Sequence, residues 1–299
     1  MRLVDDEYYW MVDEVLRGSP AYIEPEKDRT GTGYYEVFGY SAKYTDVGTD
    51  FPVLALKETN WRAAFTEMFW FLSGSTHIEF LHRHGVHIWD EWSSNGWIGP
   101  MYGHQWRHWE EWGGRDTNEH YGIDQMQNAL NTLRANPTSR RNVVTAWNVA
   151  DLPIMALAPC HGTMQWNWDP DMNELNLMMF QRSADLFLGL PFNVANYALL
   201  QHMFAKMLGM KVGTFTHAIG SLHIYDNHVE QCEEVLGRAD FYPPATVGNV
   251  TLEMDDDLFK DLPKGSEIDA LVERFTGVDD HFKLHNYNPL PAIKGKVAV

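Results

Sequence analysis

Cys160 stands in Ala158-Pro159-Cys160-His161, and the stretch runs on through Gln181-Arg182-Ser183-Ala184-Asp185 to Gly189-Leu190-Pro191-Phe192-Asn193. A thiol, a guanidinium, a carboxylate and a side-chain amide are thus gathered in one block. The thiolate is the nucleophilic form of cysteine, and a neighbouring cation favours it. These groups suit covalent attack on an anionic heterocycle whose ring edge is then read by the amide. A buried cysteine is usually inert packing. Here Pro159 fixes the approach of the chain to the thiol, and Arg182 falls two strand-lengths later, at the return end of a hairpin. A cysteine-protease arrangement is the rival. It needs a base oriented by a third group, and His161 is adjacent in sequence, where its ring rarely reaches its neighbour's sulfur. That reading also leaves the arginines and Asn193 without roles.

Asn193 offers a donor and an acceptor, which match O4 and N3–H of uracil and mismatch cytosine. Its residue type equally suits an N-cap for the helix that follows. His223 and Tyr225 alternate in His223-Ile224-Tyr225 and so face one side of a strand. They suit a sugar hydroxyl, or an ordinary polar rim of a core. Glu67 lies in an apolar helix, where a carboxylate is costly without a partner or a task; a solvent-facing Glu67 is the plainer alternative.

The elements that must position these groups are legible in outline. Tyr8, Met11, Val12, Val15 and Leu16 repeat at helical spacing up to Gly18. Gly31 and Gly33 lead into a strand over residues 34–39. Trp61 to Leu72 reads as a buried helix closed by Ser73-Gly74. Ile123, Met126, Leu130 and Leu133 mark an amphipathic helix that Pro137 closes. Residues 141–147 are β-branched and strand-like. Residues 164–168 and 174–180 form a hairpin around a five-residue loop, 169–173. Val194 to Leu208 is a long apolar helix ending at Gly209, and residues 210–228 return to strand and loop. Residues 237–283 are acidic and weakly periodic, hence peripheral. The tail from Pro289 is frayed or docked. No repeat or linker divides the chain, so one mixed domain is expected over residues 1–299.

The chain has 299 residues and a formal net charge of −18. Such an acidic surface repels phosphate backbones, so no nucleic-acid partner is expected. An acidic protein that binds a small anion must gather its arginines. Arg29, Arg140, Arg141 and Arg182 are the candidates, though any one alone is more simply a surface charge. The two cysteines make no disulfide framework in a chain this long. No run of eighteen apolar residues and no basic-then-apolar leader is present, so a soluble, cytoplasmic protein without a membrane partner is expected.

Taken in order, several segments resemble the thymidylate synthase family and its pyrimidine hydroxymethylase relatives. They are Asp28-Arg29-Thr30-Gly31-Thr32-Gly33, Trp89-Asp90-Glu91-Trp92, Gly99 to Trp106, Ser139-Arg140-Arg141, residues 157–193, Gly220 to His228, Pro291-Ala292-Ile293-Lys294 and Val297-Ala298-Val299. The resemblance implies an α/β fold of the α+β type: one domain, with a large twisted mixed sheet flanked by helices, dimerising through the sheet face. It implies dUMP and 5,10-methylenetetrahydrofolate as substrates, a homodimer with shared sites, and no metal. Cys160 would attack C6 of dUMP, Glu67 would relay protons through water, and Tyr102 would help remove the C5 proton. Arg29, Arg140, Arg141, Arg182 and Ser183 would clamp the phosphate, with the paired arginines coming from the partner subunit. Gln181 would join the substrate contacts, Asn193 would read the uracil edge, and His223 with Tyr225 would hold the 3′-hydroxyl. Asp185 would hold the pterin, with Trp89, Trp92, Leu157, Leu188, Gly189 and Phe192 as the apolar folate wall and Val299 closing the site. Ser221 stands where the family has aspartate, Glu58 reverses a charge beside Lys57, and Gln165-Trp166 replaces Gln-Phe. These departures keep a dUMP hydroxymethylase reading open beside methylation; a non-catalytic nucleotide- or RNA-binding homologue is a third.

Overall fold

The computed structural model describes residues 2–110, 122–241 and 248–298. In chain order the elements are α1 (Leu3–Arg17), β1 (Ala21–Ile23), β2 (Tyr34–Tyr44), α2 (Trp61–Leu72), α3 (Glu79–Arg83), α4 (Gly103–Arg107), β3 (Trp109–Glu110), β4 (Gly122–Ile123), α5 (Gln125–Ala135), β5 (Val143–Val144), β6 (Thr163–Asp169), β7 (Glu174–Asp185), α6 (Gly189–Leu208), β8 (Lys211–Tyr225), α7 (Val229–Phe241), β9 (Thr251–Met254), α8 (Asp256–Phe259), α9 (Glu267–Arg274), α10 (Val278–His281) and β10 (Phe282–His285). Six strands form one mixed sheet in the order β1-β2-β8-β7-β6-β5. Only β7 and β8 run parallel, and α6 is the crossover between them. The fold is the expected mixed α/β architecture with helices flanking a mixed sheet.

Apolar residues repeat at helical spacing on the packed sides of the helices and alternate along the strands, so one sheet face is covered. α6 packs across β7 and β8, α1 across β2 and β8, and α2 lies against α6. Along β7 the inward side chains Leu175, Leu177, Met179 and Gln181 are buried. Their alternates face the other way. Val143, Met178 and Phe180 are each about half exposed there, at 49 %, 48 % and 49 %. They lie in neighbouring register, with Val143 opposite Gln165, Gln165 opposite Met178, and Thr163 opposite Phe180. This face is open.

The bounds of α2 follow from local chemistry. Asn60 caps it by accepting from the Ala63 N–H at 3.2 Å, and Gly74 follows with φ of 69°. Other elements depart from expectation. α6 begins at Gly189 rather than Val194, because Pro191 suits a first helical turn, where no N–H partner is needed. Ile123 lies in β4, and α5 starts after Asp124, whose carboxylate accepts from the Gln127 N–H. Of residues 141–147 only Val143–Val144 pair as a strand. The side chain of Gln125 takes both the N–H and the carbonyl of Thr145, ending the ladder. The hairpin loop shortens to residues 170–173, folded by Asp169, which accepts from Asp171 N and Met172 N. Residues 211–225 are one long strand because β2 and β7 pair with its two edges.

Much of the acidic segment 237–283 forms an outer layer on α2. Phe275 stacks on Phe69 at 4.0 Å between ring centroids, and Phe282 meets Phe65 edge-on at 5.6 Å. The segment is peripheral in position yet completes the burial of α2. The tail is docked up to Lys296, whose carbonyl accepts from Asn227 Nδ2 and faces His228 Nε2 at 2.8 Å. Val299 lies outside the described residues.

Candidate active site

Cys160 precedes β6, and Arg182 lies near the end of β7. The hairpin brings Arg182 Nη2 to 3.6 Å from Cys160 Sγ. The guanidinium is held by the carbonyls of Pro159 and Ala158, at 2.9 and 2.7 Å, with Trp147 beside it at 5.5 Å. From the other side Tyr102 Oη accepts from the Cys160 N–H at 2.9 Å. Gly162, with φ of 119°, turns the chain here, and a Cβ would come within 3.0 Å of Ala146. Its carbonyl instead takes the Ala146 N–H and Trp106 Nε1. Cys160 is partly open and lines a cavity of about 400 Å³ with Thr145, Trp147, Phe180 and Arg182. Burial pushes the thiol above its ordinary range, while Arg182, and behind it Arg29, pull the other way. Arg182 thus lies close enough to favour the thiolate, as the hairpin suggested, but burial outweighs it and holds the thiol in its protonated form.

His161 is no base for this thiol. Its Nδ1 faces Tyr197 Oη at 3.0 Å, its ring packs on Tyr102 at 4.6 Å, and burial drives its pKa down to about 3. Among the described residues no imidazole hydrogen-bonds the sulfur, so the ordinary base of a cysteine protease is not found there.

Glu67 is buried on α2, not solvent-facing. Trp89 Nε1 donates to Oε1 and Asn196 Nδ2 to Oε2, both at 2.6 Å. Burial raises its pKa to about 7, against these two hydrogen bonds. A carboxyl poised there exchanges protons near neutrality. Trp89 also meets the Tyr102 ring at 5.9 Å, which joins this cluster to the thiol.

Asn193 sits inside the first turns of α6 rather than at its cap. Its Oδ1 accepts from Gln181 Nε2 at 2.9 Å, and Gln181 Oε1 faces His217 Nε2, also at 2.9 Å. Burial lowers the His217 pKa to about 3, so the ring is neutral and Nε2 carries the proton that Gln181 accepts. The three residues fix the amide: Asn193 Oδ1 keeps one lone pair and Nδ2 both hydrogens for a ligand.

Asp185 Oδ1 accepts from the N–H groups of Phe187 and Leu188 and so sets the turn into α6. The half-buried side chains of Trp92, Leu157, Leu188 and Phe192 pack against the core, Trp92 meeting buried Trp89 at 5.5 Å between ring centroids, and Gly189 opens α6. His223 contacts Tyr225 at 4.9 Å and Tyr34 at 5.3 Å. Ser183 pairs with Ser221 across the parallel ladder, and Ser221 Oγ lies 3.3 Å from His223 Nδ1. Lys57 is buried, donating to the Phe187 carbonyl at 2.6 Å.

Arg140 and Arg141 are exposed, and neither is among the charges that act on the Cys160 thiol. Gln165 Nε2 binds the Arg140 carbonyl, and four extended residues, roughly 13 Å, separate Arg141 from Thr145 at the cavity. Among the described residues neither arginine, nor Arg29 or Arg182, pairs with a carboxylate. Sequence reasoning passed over Asn196 and His217. Both are polar and fully buried, and the signal that exposed Glu67, a polar residue in an apolar pattern, applied to them too.

Comparison with family models matches residues 6–299 to the model described as Thymidylate synthase. The match spans the thiol, the buried carboxyl and the held amide alike. Members of this family use methylenetetrahydrofolate as the one-carbon donor. The chain belongs to the thymidylate synthase family and is a one-carbon transferase of that type, acting on dUMP.

Proposed function

We propose that the chain methylates dUMP to dTMP, with Cys160 as the nucleophile and methylenetetrahydrofolate as the one-carbon and hydride donor. The observation that carries this reading is the thiol's setting: Sγ on the wall of an open cavity, 3.6 Å from Arg182 Nη2. Addition of sulfur to C6 pushes electrons toward O4 and makes C5 nucleophilic. Asn193 Nδ2 donates to O4, where that charge develops, and Oδ1 accepts N3–H. Glu67, with its pKa about 7, passes protons through water toward O4 and the folate. Tyr102 supports removal of the C5 proton.

Arg182, Arg29 and Ser183 hold the phosphate together with Arg140 and Arg141 of the partner subunit, while Gln181 steadies the ring reader. His223 and Tyr225 take the 3′-hydroxyl. The Trp89, Trp92, Leu157, Leu188, Gly189 and Phe192 shelf receives the folate, Asp185 its pterin N–H groups, and Val299 the closing contact. The whole chain acts as one catalytic domain in a homodimer joined through the open sheet face. Both cysteines are free, which suits a reducing, cytoplasmic setting.

A second reading, hydroxymethylation, is favoured by Ser221, whose hydroxyl meets His223 at 3.3 Å where the family pattern places a carboxylate. A wetter site would let water add where hydride otherwise transfers. Incubation with dUMP and the folate, followed by mass analysis of the nucleotide, separates the two. Methylation yields dTMP with a matching rise in dihydrofolate absorbance. A product heavier by one oxygen, without dihydrofolate, establishes the second reading. No release of C5 tritium under any condition sinks both.

A further inference from the structure

We propose that His82, His87 and Asp90 form a surface site for a divalent transition-metal ion of the zinc class. His82 lies in the last turn of α3, Asp90 opens the 3₁₀ turn Asp90–Trp92, and His87 sits in the segment between them. Asp90 holds both imidazoles: Oδ1 lies 2.6 Å from His82 Nε2 and Oδ2 3.0 Å from His87 Nδ1. The two rings stand 4.8 Å apart, and one ligating atom from each residue lies within 4.8 Å of the other two.

A tetrahedral zinc at about 2.0–2.2 Å from nitrogen and oxygen ligands sets those ligands roughly 3.4 Å apart. The cluster needs only small side-chain rotations to reach that spacing. Two imidazoles and one carboxylate match the borderline character of zinc better than that of calcium or magnesium, which take oxygen. All three side chains are substantially open to solvent, at 42 %, 63 % and 45 %, so water completes the fourth position. The bound ion would replace two hydrogen bonds with three coordinate bonds and staple α3 to the 3₁₀ turn. Asp90 directly follows Trp89, whose indole holds Glu67, so the staple fixes the segment that orients the buried carboxyl. The site is separate from the Cys160 cavity and stands whether or not the substrate assignment above holds.

The test is calorimetric titration of zinc chloride into full-length protein stripped with a chelator, repeated with cobalt(II) to record its visible bands. The expected result is one ion per chain, micromolar affinity and tetrahedral cobalt absorption. His87→Asn should weaken binding by at least about tenfold and abolish the cobalt bands. His84→Asn should leave both unchanged, because His84 Nδ1 already faces the Phe80 carbonyl at 2.8 Å. Should His87→Asn not fold, His82→Gln makes the same comparison. Failure to saturate at one ion per chain, or wild-type affinity in the ligand variant, overturns the proposal and leaves the triad a hydrogen-bonded surface cluster.

Discussion

Glu67 couples stability to function through one carboxyl. Its folded pKa of about 7 lies above the ordinary value near 4.5, so between those values the folded state binds more protons than the unfolded chain. Stability linked to the protonated form is full below pH 4.5 and is lost as pH rises through 7, by roughly 3 kcal/mol. Glu67→Gln removes that loss. The amide oxygen accepts from Trp89, and Asn196, whose Oδ1 has no partner, turns to accept from the new amide. The variant should be more stable than wild type at pH 8, with the gain fading toward pH 5, while turnover falls by two or more orders of magnitude. Denaturant melts at both pH values decide it; a gain independent of pH would mean that the Glu67 carboxyl titrates alike in the folded and the unfolded chain. The sequence marked this residue without deciding it: an acid in apolar Trp61–Leu72 suits a task or a solvent-facing position alike, and the burial of Glu67 on α2 removes the second. Cys160 and Arg182 were legible for a similar reason, since a hairpin returns one to the other. Asn196 and His217 carried the same signal more faintly, because a neutral amide or imidazole costs less to bury than a carboxylate and stands out less in an apolar pattern.

At the scale of elements, β8, β7 and α6 together carry the chain His217–Gln181–Asn193. No single element's sequence reveals it, since parallel pairing of β7 with β8 is a tertiary fact. Asn193 looked like a helix cap because the start of α6 was placed beyond Pro191. Two substitutions test the chain. Asn193→Asp keeps the acceptor for Gln181 and turns the free donor into an acceptor, which suits the amino group of cytosine, so preference should move toward dCMP. His217→Phe leaves Gln181 Oε1 unpaired, frees both amides to turn, and should cut the dUMP/dCMP ratio of kcat/KM roughly tenfold, about the value of one misplaced hydrogen bond. A ratio unchanged in a less stable His217→Phe would make His217 structural only. Asp185 acts at the same end of α6. Asp185→Asn keeps one acceptor for the Phe187 and Leu188 N–H groups but loses charge, whereas Asp185→Ala removes both bonds and should cost about 1.5 kcal/mol. Thermal melts should rank wild type above the asparagine variant and that above alanine; equal melting for all three would deny the turn its role.

For the whole molecule, two features meet: an open sheet face and two arginines stranded at its edge. Val143, Met178 and Phe180 are half exposed on that face, in the same register that carries Thr163 and Phe180 to the Cys160 cavity. Arg140 and Arg141 are not among the groups that pull on the thiol, whereas Arg182 and Arg29 are. A two-fold contact through this face is self-complementary. Such a contact would cover the apolar side chains and would carry each arginine pair toward the other chain's cavity. This sharing can be measured without any structure of the dimer. Cys160→Ser and Arg141→Ala chains should each be nearly inactive alone. Unfolded together and refolded as an equal mixture, half the dimers are mixed, and each mixed dimer holds one intact site. Activity should return to about one quarter of wild type. If each arginine served its own chain, mixed dimers would contain no intact site and mixing would restore nothing. Phe180→Asp in both chains should prevent recovery even in the mixture, because the face that joins them no longer tolerates burial. Recovery with a dimeric sedimentation profile despite Phe180→Asp would place the shared contact elsewhere on the surface.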